Sequence, residues 1–348
     1  MLIKPDNPLL QYSGRIDWSK REAPVFVYPC SYIKMKFTGT CVAAVVENHK
    51  AYFSSFLGYF IDGEQKCVKM AECGRETIML AEGLADREHE LMLFKRMDSC
   101  HIFTFYGFEV DEGARLVELE TKPARRIEVY GDSVSAGEVS EAVDYVGQSD
   151  PEHDGEFSNS YYSYTWMTAR RLGAEIHDIA QGGAALLDGT GWFAGPDFIG
   201  MESIYDKIQF YPALSEVVKW DFQAYRPHVV IVAIGQNDAN PEDYMASDYE
   251  GEKARHWRNA YRAFIRRLRE IYPDAEIILA TTILCHDANW DRAIGQVCEE
   301  MTDGHIHYFH YSRTGAGTPG HIRIPEAEEM AAELSEFIES LGAEIWKN

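Results

Sequence analysis

From Val25 to Leu119 apolar and polar residues alternate in short segments, a period of two that puts one face of each strand on a core and the other toward water. In SYIKMKFTG, Ile33, Met35 and Phe37 point one way and Lys34 and Lys36 the other. GYFIDGEQKCVKM carries Asp62-Gly63 between two strand-like stretches, a dipeptide suited to the positive φ values of a tight hairpin turn. HELMLFKRMDSCHIFTFYGFEV supplies two more strands, separated by Asp98-Ser99. No long helical stripe interrupts the region, so an all-β sandwich of jelly-roll type is expected, ending near Lys122-Pro123.

After Arg125 the pattern changes to apolar strands alternating with long helices, which predicts βαβ units around a buried parallel sheet. The strands are expected at Arg126–Tyr130, Glu175–Ile179, His228–Ile234 and Glu276–Ile283. Residues 253–272 place Trp257, Tyr261, Phe264, Ile265, Leu268 and Ile271 at helical spacing, and Pro273 stops that helix. The last helix opens at Pro325, buries Met330, Leu334 and Ile338, and ends at Gly342. The expected division is therefore a β-sandwich over 1–123 and an α/β domain over 124–348.

Length agrees: 348 residues, at about 150 per domain, fit two domains. With 33 Lys and Arg against 56 Asp and Glu the net charge is −23, and so acidic a surface sets aside nucleic acid and anionic membranes as partners. The seven cysteines (Cys30, Cys41, Cys67, Cys73, Cys100, Cys285, Cys298) are scattered and lack any C-x-x-C pair, which argues against a disulfide framework and a zinc knuckle and for a reducing compartment. MLIKPDNPLLQYSGRIDW has no apolar signal core, and runs such as Val229 to Ile234 are too short to cross a bilayer, so a soluble, cytoplasmic protein is expected.

The candidate chemistry sits where strands end. The first α/β strand runs into Gly131-Asp132-Ser133-Val134-Ser135-Ala136-Gly137, which leaves a serine hydroxyl at the C-terminal edge of a parallel sheet, where ligands bind. The second strand runs into Gln181-Gly182-Gly183 and the third into Gly235-Gln236-Asn237-Asp238, while His321 precedes the final helix. Those four loops reach one crevice.

The order Ser133, Gly182, Asn237, His321, each at a strand end or before the last helix, resembles the block pattern of the SGNH or GDSL hydrolase superfamily. The sandwich ahead of it, with its SYIKMKFTGT segment, is similar to that of carbohydrate esterase family two, whose members pair a jelly roll with an SGNH domain. The resemblance spans nearly the whole chain; GDS and GQND are its specific parts, and the block around Gly182 fits Gly183 as well. It implies a flavodoxin-like, three-layer parallel-sheet domain behind the jelly roll, and an esterase with Ser133 as nucleophile and His321 as base. A serine hydroxyl needs such a base at neutral pH, and the negative charge of the tetrahedral intermediate needs donors already aimed at it. The resemblance makes those donors Ser133 N–H, Gly182 N–H and the Asn237 side-chain amide.

The superfamily usually places an aspartate three residues before the histidine; here that residue is Thr318. Family two includes members working with a Ser-His dyad whose imidazole a backbone carbonyl holds, so a dyad is expected, with Asp303 the alternative carboxylate. Asp132 reads as a hydrogen-bonding partner of the loops, and the acidic stretch Ser149 to Glu156 as a solvated loop that walls the crevice. Sugar rings stack their C–H faces on aromatic side chains, which makes Trp192 and, second, Trp290 the expected substrate-binding residues. His305, His307 and His310 share a short run, but no Cys or carboxylate at ligand spacing accompanies them, and an edge strand is expected instead of a metal site. The resemblance implies removal of acetyl groups from oligosaccharides of xylan or mannan type, and no metal or organic cofactor is expected. A lipase-like or aryl esterase on the same scaffold and a non-catalytic carbohydrate-binding protein are the alternatives.

Overall fold

The computed structural model describes residues 1–214 and 216–347. The N-terminal region is a sandwich of two six-stranded antiparallel sheets. One contains Tyr32–Gly39, Phe56–Ile61, Glu64–Lys69 and Arg87–Lys95; the other contains Val42–His49, Arg75–Ala81 and Ile102–Val110. The alternation in Tyr32–Gly39 does what its pattern predicts, burying Ile33, Met35 and Phe37 against Val46, Leu93 and Phe105 between the sheets. Asp62 and Gly63, at φ 51° and 85°, make the tight turn that joins Phe56–Ile61 to Glu64–Lys69. Asp98-Ser99 is different from a hairpin turn. The strands on either side of it belong to opposite sheets, so the chain crosses the end of the sandwich here and carries Asp98 to the face that meets the second domain.

The second domain is a five-stranded parallel sheet in the order Ala174–Ala180, Arg125–Gly131, Val229–Ala233, Glu276–Ala280, Ile306–Tyr308. This is the doubly wound order with the reversal beside the first strand, as a flavodoxin-like fold requires. Alternate residues of the central strands feed two cores: Tyr130, Val230 and Val232 pack under helices Glu252–Ile271 and Ala288–Met301, while Val129, Ile231 and Ile278 pack under Tyr164–Arg171 and Ile324–Ser340. The run 306–308 is the expected edge strand, and His305 and His307 both bond to the Glu276 carboxylate, at 2.8 and 2.7 Å.

Register places the site. Gly131 is level with Ala180 on one side and Ala233 on the other, so the loops that follow emerge side by side at one sheet edge. The N-terminal segment locks the domains together through Arg15, fully buried, whose guanidinium lies 3.2 Å from Glu128 and 2.9 Å from the Tyr130 hydroxyl.

Candidate active site

Asp132 caps the one-turn helix Ser133–Ala136, its Oδ1 accepting from Val134 N at 3.0 Å. Ser133 therefore occupies the first position of that helix, where a backbone N–H has no intrahelical partner. Among the described residues neither Ser133 N–H nor Gly183 N–H donates to a protein acceptor. Asp132 works as the expected tie between loops: its Oδ2 accepts from Gln236 Nε2 at 2.8 Å and Asn237 Nδ2 at 3.1 Å. Burial pushes its carboxyl up to about 6, against the stabilising hydrogen bonds it accepts.

Ser133, Gly182, Gly183, Asn237, His321 and Trp192 line one cavity of about 770 Å³ at this edge. Trp192 is 69% exposed, as suits a surface on which a ligand rests. Tyr52 and Phe53 reach the same cavity from the sandwich, so the N-terminal domain forms part of its wall.

What holds His321 differs from expectation. The Asp150 carboxylate accepts from His321 Nδ1 at 2.6 Å, from His321 N at 2.9 Å and from Arg323 Nη2 at 2.8 Å. An ionised carboxylate only accepts, so Nδ1 carries the proton and Nε2 is left free as a base. The expected carbonyl partner is thus corrected: a carboxylate, that of Asp150, orients His321. Thr318 takes no part in it: its hydroxyl bonds to Gln148 O at 3.5 Å. Asp303 is engaged elsewhere, with Arg269 at 2.9 Å. Asp150 was legible only as one acid among several in the 149–156 loop; nothing local distinguishes it, because its partner lies 171 residues away.

Burial lowers the affinity of His321 for its proton, but the charge of Glu138, then the hydrogen bond and charge of Asp150, outweigh it and hold the imidazole above its ordinary value of 6.5. For Asp150, burial is likewise outweighed by His321 and Arg323, and the carboxyl lies well below the usual carboxylate range.

Two expected oxyanion donors are already engaged. Gly182 N–H donates to Asp98 Oδ2 at 3.0 Å, a bond made possible by the crossing loop of the sandwich, so Gly182 does not offer its N–H to the cavity. The next residue, Gly183, sits at φ 72°, and its N–H is the one left free. The Asn237 amide gives both hydrogens to protein acceptors, Asp132 Oδ2 and Ala184 O, each at 3.1 Å. Asp98 also accepts from Gln181 Nε2 at 2.6 Å and Tyr52 Oη at 3.1 Å, and its other oxygen bonds to His101 Nδ1 at 2.6 Å. One sandwich carboxylate thereby fixes the loop that presents Gly183. Asp98, Cys100 and His101 also bring three potential metal ligands within 4.8 Å. They are hydrogen-bonded to one another, and the Lys95 ammonium beside them contributes a positive charge that opposes a cation.

Trp290 is not a substrate residue. It lies in the helix Ala288–Met301 at 0% exposure, edge-on to Trp257 at 5.3 Å, with Nε1 donating to Asp243 at 3.2 Å. The helix turns the indole into the core, away from the cavity.

Residues 129–344 match the family described as GDSL-like lipase/acylhydrolase, and residues 12–119 match the carbohydrate esterase 2 N-terminal family. The chain is 28% identical over 346 residues to the cellulase/esterase CelE of Acetivibrio thermocellus, an alignment covering 96% of this chain and 40% of that protein. The chain thus spans well under half the length of that relative. It is 24% identical over 341 residues to an acetylxylan esterase / glucomannan deacetylase of Cellvibrio japonicus, covering 96% of this chain and 89% of the other. Among solved structures, a family two carbohydrate esterase from Clostridium thermocellum in complex with cellohexaose superposes with a TM-score of 0.79 at 25% identity, covering 95% and 98% of the two chains. A family two carbohydrate esterase from Cellvibrio japonicus shares the fold, with a TM-score of 0.82 at 22% identity over 100% and 98% of the chains.

Proposed function

The chain belongs to the GDSL-like lipase/acylhydrolase family, and from that premise we propose that it is a carbohydrate O-acetylesterase acting on hemicellulose-derived oligosaccharides of xylan or mannan type. The observation that carries this reading is the Asp150–His321 hydrogen bond opening on the cavity that Ser133 lines.

Ser133 Oγ attacks the acetyl carbonyl and passes its proton to His321 Nε2, while Asp150 stabilises the imidazolium that forms. Ser133 N–H and Gly183 N–H receive the oxyanion; Asn237 exchanges one of its protein acceptors for it as charge develops. The tetrahedral intermediate collapses, the C–O bond to the sugar breaks, and His321 returns the proton to the departing sugar oxygen. Water, deprotonated by the same imidazole, attacks the acetyl-enzyme and releases acetate and Ser133. Trp192 from this domain and Tyr52 from the sandwich supply faces on which sugar rings stack.

The names of the two relatives support a carbohydrate ester as substrate. Among the described residues no helix is long and apolar enough to cross a membrane, and all seven cysteines are free. The unpaired thiols support action in a reducing compartment, on oligosaccharides already taken into the cell. Time-resolved NMR of an acetylated manno-oligosaccharide and an acetylated xylo-oligosaccharide incubated with the protein tests the reading: loss of acetyl signals from at least one, with growth of free acetate, is expected. Intact acetyl groups on both, alongside rapid hydrolysis of longer p-nitrophenyl acyl esters, would replace it with a lipase-like activity.

A further inference from the structure

One carboxyl of the cavity has no role in the mechanism above. Glu138 follows the helix that begins at Ser133, its side chain is 18% exposed, and its Oε2 lies 4.0 Å from His321 Nε2. Among the described residues no hydrogen bond reaches its carboxyl oxygens. Gly182 shows how tightly it borders the oxyanion loop: a Cβ there would come within 2.7 Å of Glu138 Oε2. An ionised carboxylate beside that loop repels the charge that develops on the ester oxygen, whereas a neutral acid has an O–H to give.

We propose that Glu138 completes the oxyanion hole, its carboxyl O–H donating to the former carbonyl oxygen beside Ser133 N–H and Gly183 N–H. The proposal rests on the esterase reading above. The surroundings of Glu138 favour its neutral form more than those of an ordinary carboxyl do. Asp98, His101 and Tyr52 face it from the sandwich, Asp132 from the strand end, and Asp150 and His321 from the opposite loops. Burial raises the carboxyl, His321 lowers it, and the charges of Asp98, Asp150 and Asp132 raise it further, to about 7. A carboxylic acid held neutral so that it can donate to an oxyanion is sound chemistry. When the Glu138–His321 pair holds one proton, that proton sits either on His321 beside a charged Glu138 or on Glu138 beside a neutral His321, and the second arrangement is the reactive form. A second proton blocks the base, and loss of the proton removes the donor, so kcat/KM is bell-shaped in pH.

The test compares Glu138→Gln and Glu138→Ala on p-nitrophenyl acetate across pH 5 to 9, with thermal unfolding as the check on folding. The amide of Glu138→Gln keeps a donor that does not titrate, so its loss at the optimum is expected to stay under about tenfold and its alkaline limb to disappear. Glu138→Ala is expected to lose about a hundredfold to a thousandfold in kcat/KM. Equal losses in the two variants, an alkaline limb that survives in Glu138→Gln, or a Glu138→Ala enzyme as active as wild type would overturn the proposal and leave the esterase reading intact. A wild-type protein that hydrolyses no ester would overturn both.

Discussion

Replacing Asp150 by asparagine keeps the shape of the side chain and removes the feature that orients His321. Three donors converge on the carboxylate: His321 Nδ1 at 2.6 Å, His321 N at 2.9 Å and Arg323 Nη2 at 2.8 Å. The backbone N–H and the guanidinium share one oxygen and cannot act as acceptors, so the single oxygen of asparagine stays with them and its NH₂ turns toward Nδ1. The imidazole must then carry its proton on Nε2, where it cannot accept one from Ser133. The same tautomer error in a serine protease triad lowers kcat about 10⁴-fold, equivalent to about 5.4 kcal/mol. Asp150 is 28% exposed, so water shares in solvating it and the effect is discounted to about 10²–10⁴-fold. Folding should weaken by about 2–3 kcal/mol, because the buried Arg323 guanidinium loses its countercharge although the asparagine oxygen and Ala142 O, at 3.1 Å, still accept from it. The assay is kcat and kcat/KM on p-nitrophenyl acetate against pH, with unfolding followed in parallel. The acid limb, which the Asp150 hydrogen bond and charge help to raise, should also move to lower pH. A variant that is folded at the assay temperature and within about tenfold of wild type would refute the argument and restore a dyad in which Asp150 is incidental.

Three further outcomes follow from the same geometry. Trp192→Ala should raise KM for an acetylated oligosaccharide far more than for p-nitrophenyl acetate; equal effects on both would remove Trp192 from the sugar-binding surface. Trp290→Ala empties a fully buried site and should cost about 3–5 kcal/mol in urea unfolding with no selective change in KM, whereas a stable variant with a selective KM defect would reinstate it as a substrate residue. Burial raises the Asp178 carboxyl to about 8, against its bonds to Thr165 and Cys30, and one of its oxygens has no partner among the described residues. In the unfolded chain that group ionises near pH 3.8, so between about 4 and 8 the folded state holds a proton the unfolded state has lost, and stability falls as pH rises. Asp178→Asn should flatten that fall, by an amount on the order of 1 kcal/mol per unit of the shift, and a thermal unfolding profile unaltered from pH 5 to 8 would refute it.

The parts of the fold that were legible in the sequence are those set by local periodicity. The strand 229–233 was visible as a nearly continuous β-branched run, and Asp62-Gly63 as a turn whose φ values few residues adopt. Ser133 and Asn237 stood out at strand ends and His321 before the last helix, while the roles expected of them came from the resemblance to the SGNH pattern. What escaped were residues defined by a distant partner. Asp150 is one acid in an acidic loop until the chain brings His321 to it, and Asp98 is a turn residue until the crossing between sheets presses it onto Gly182. That same contact engages the Gly182 N–H and leaves the Gly183 N–H free, a difference no spacing argument reveals. Trp290 was misplaced because an exposed-looking segment, Asp287-Ala288-Asn289, is the cap and first turn of a helix whose next residue faces inward.

The most direct test of the whole account is to trap the nucleophile. Incubated with a fluorophosphonate and analysed by intact-protein and peptide mass spectrometry, the protein should gain one adduct, carried by Ser133, with loss of esterase activity in proportion to labelling. The adduct should be absent from Ser133→Ala and form far more slowly in His321→Ala. Inactivation with the label on another residue, or full esterase activity in Ser133→Ala, would contradict the account.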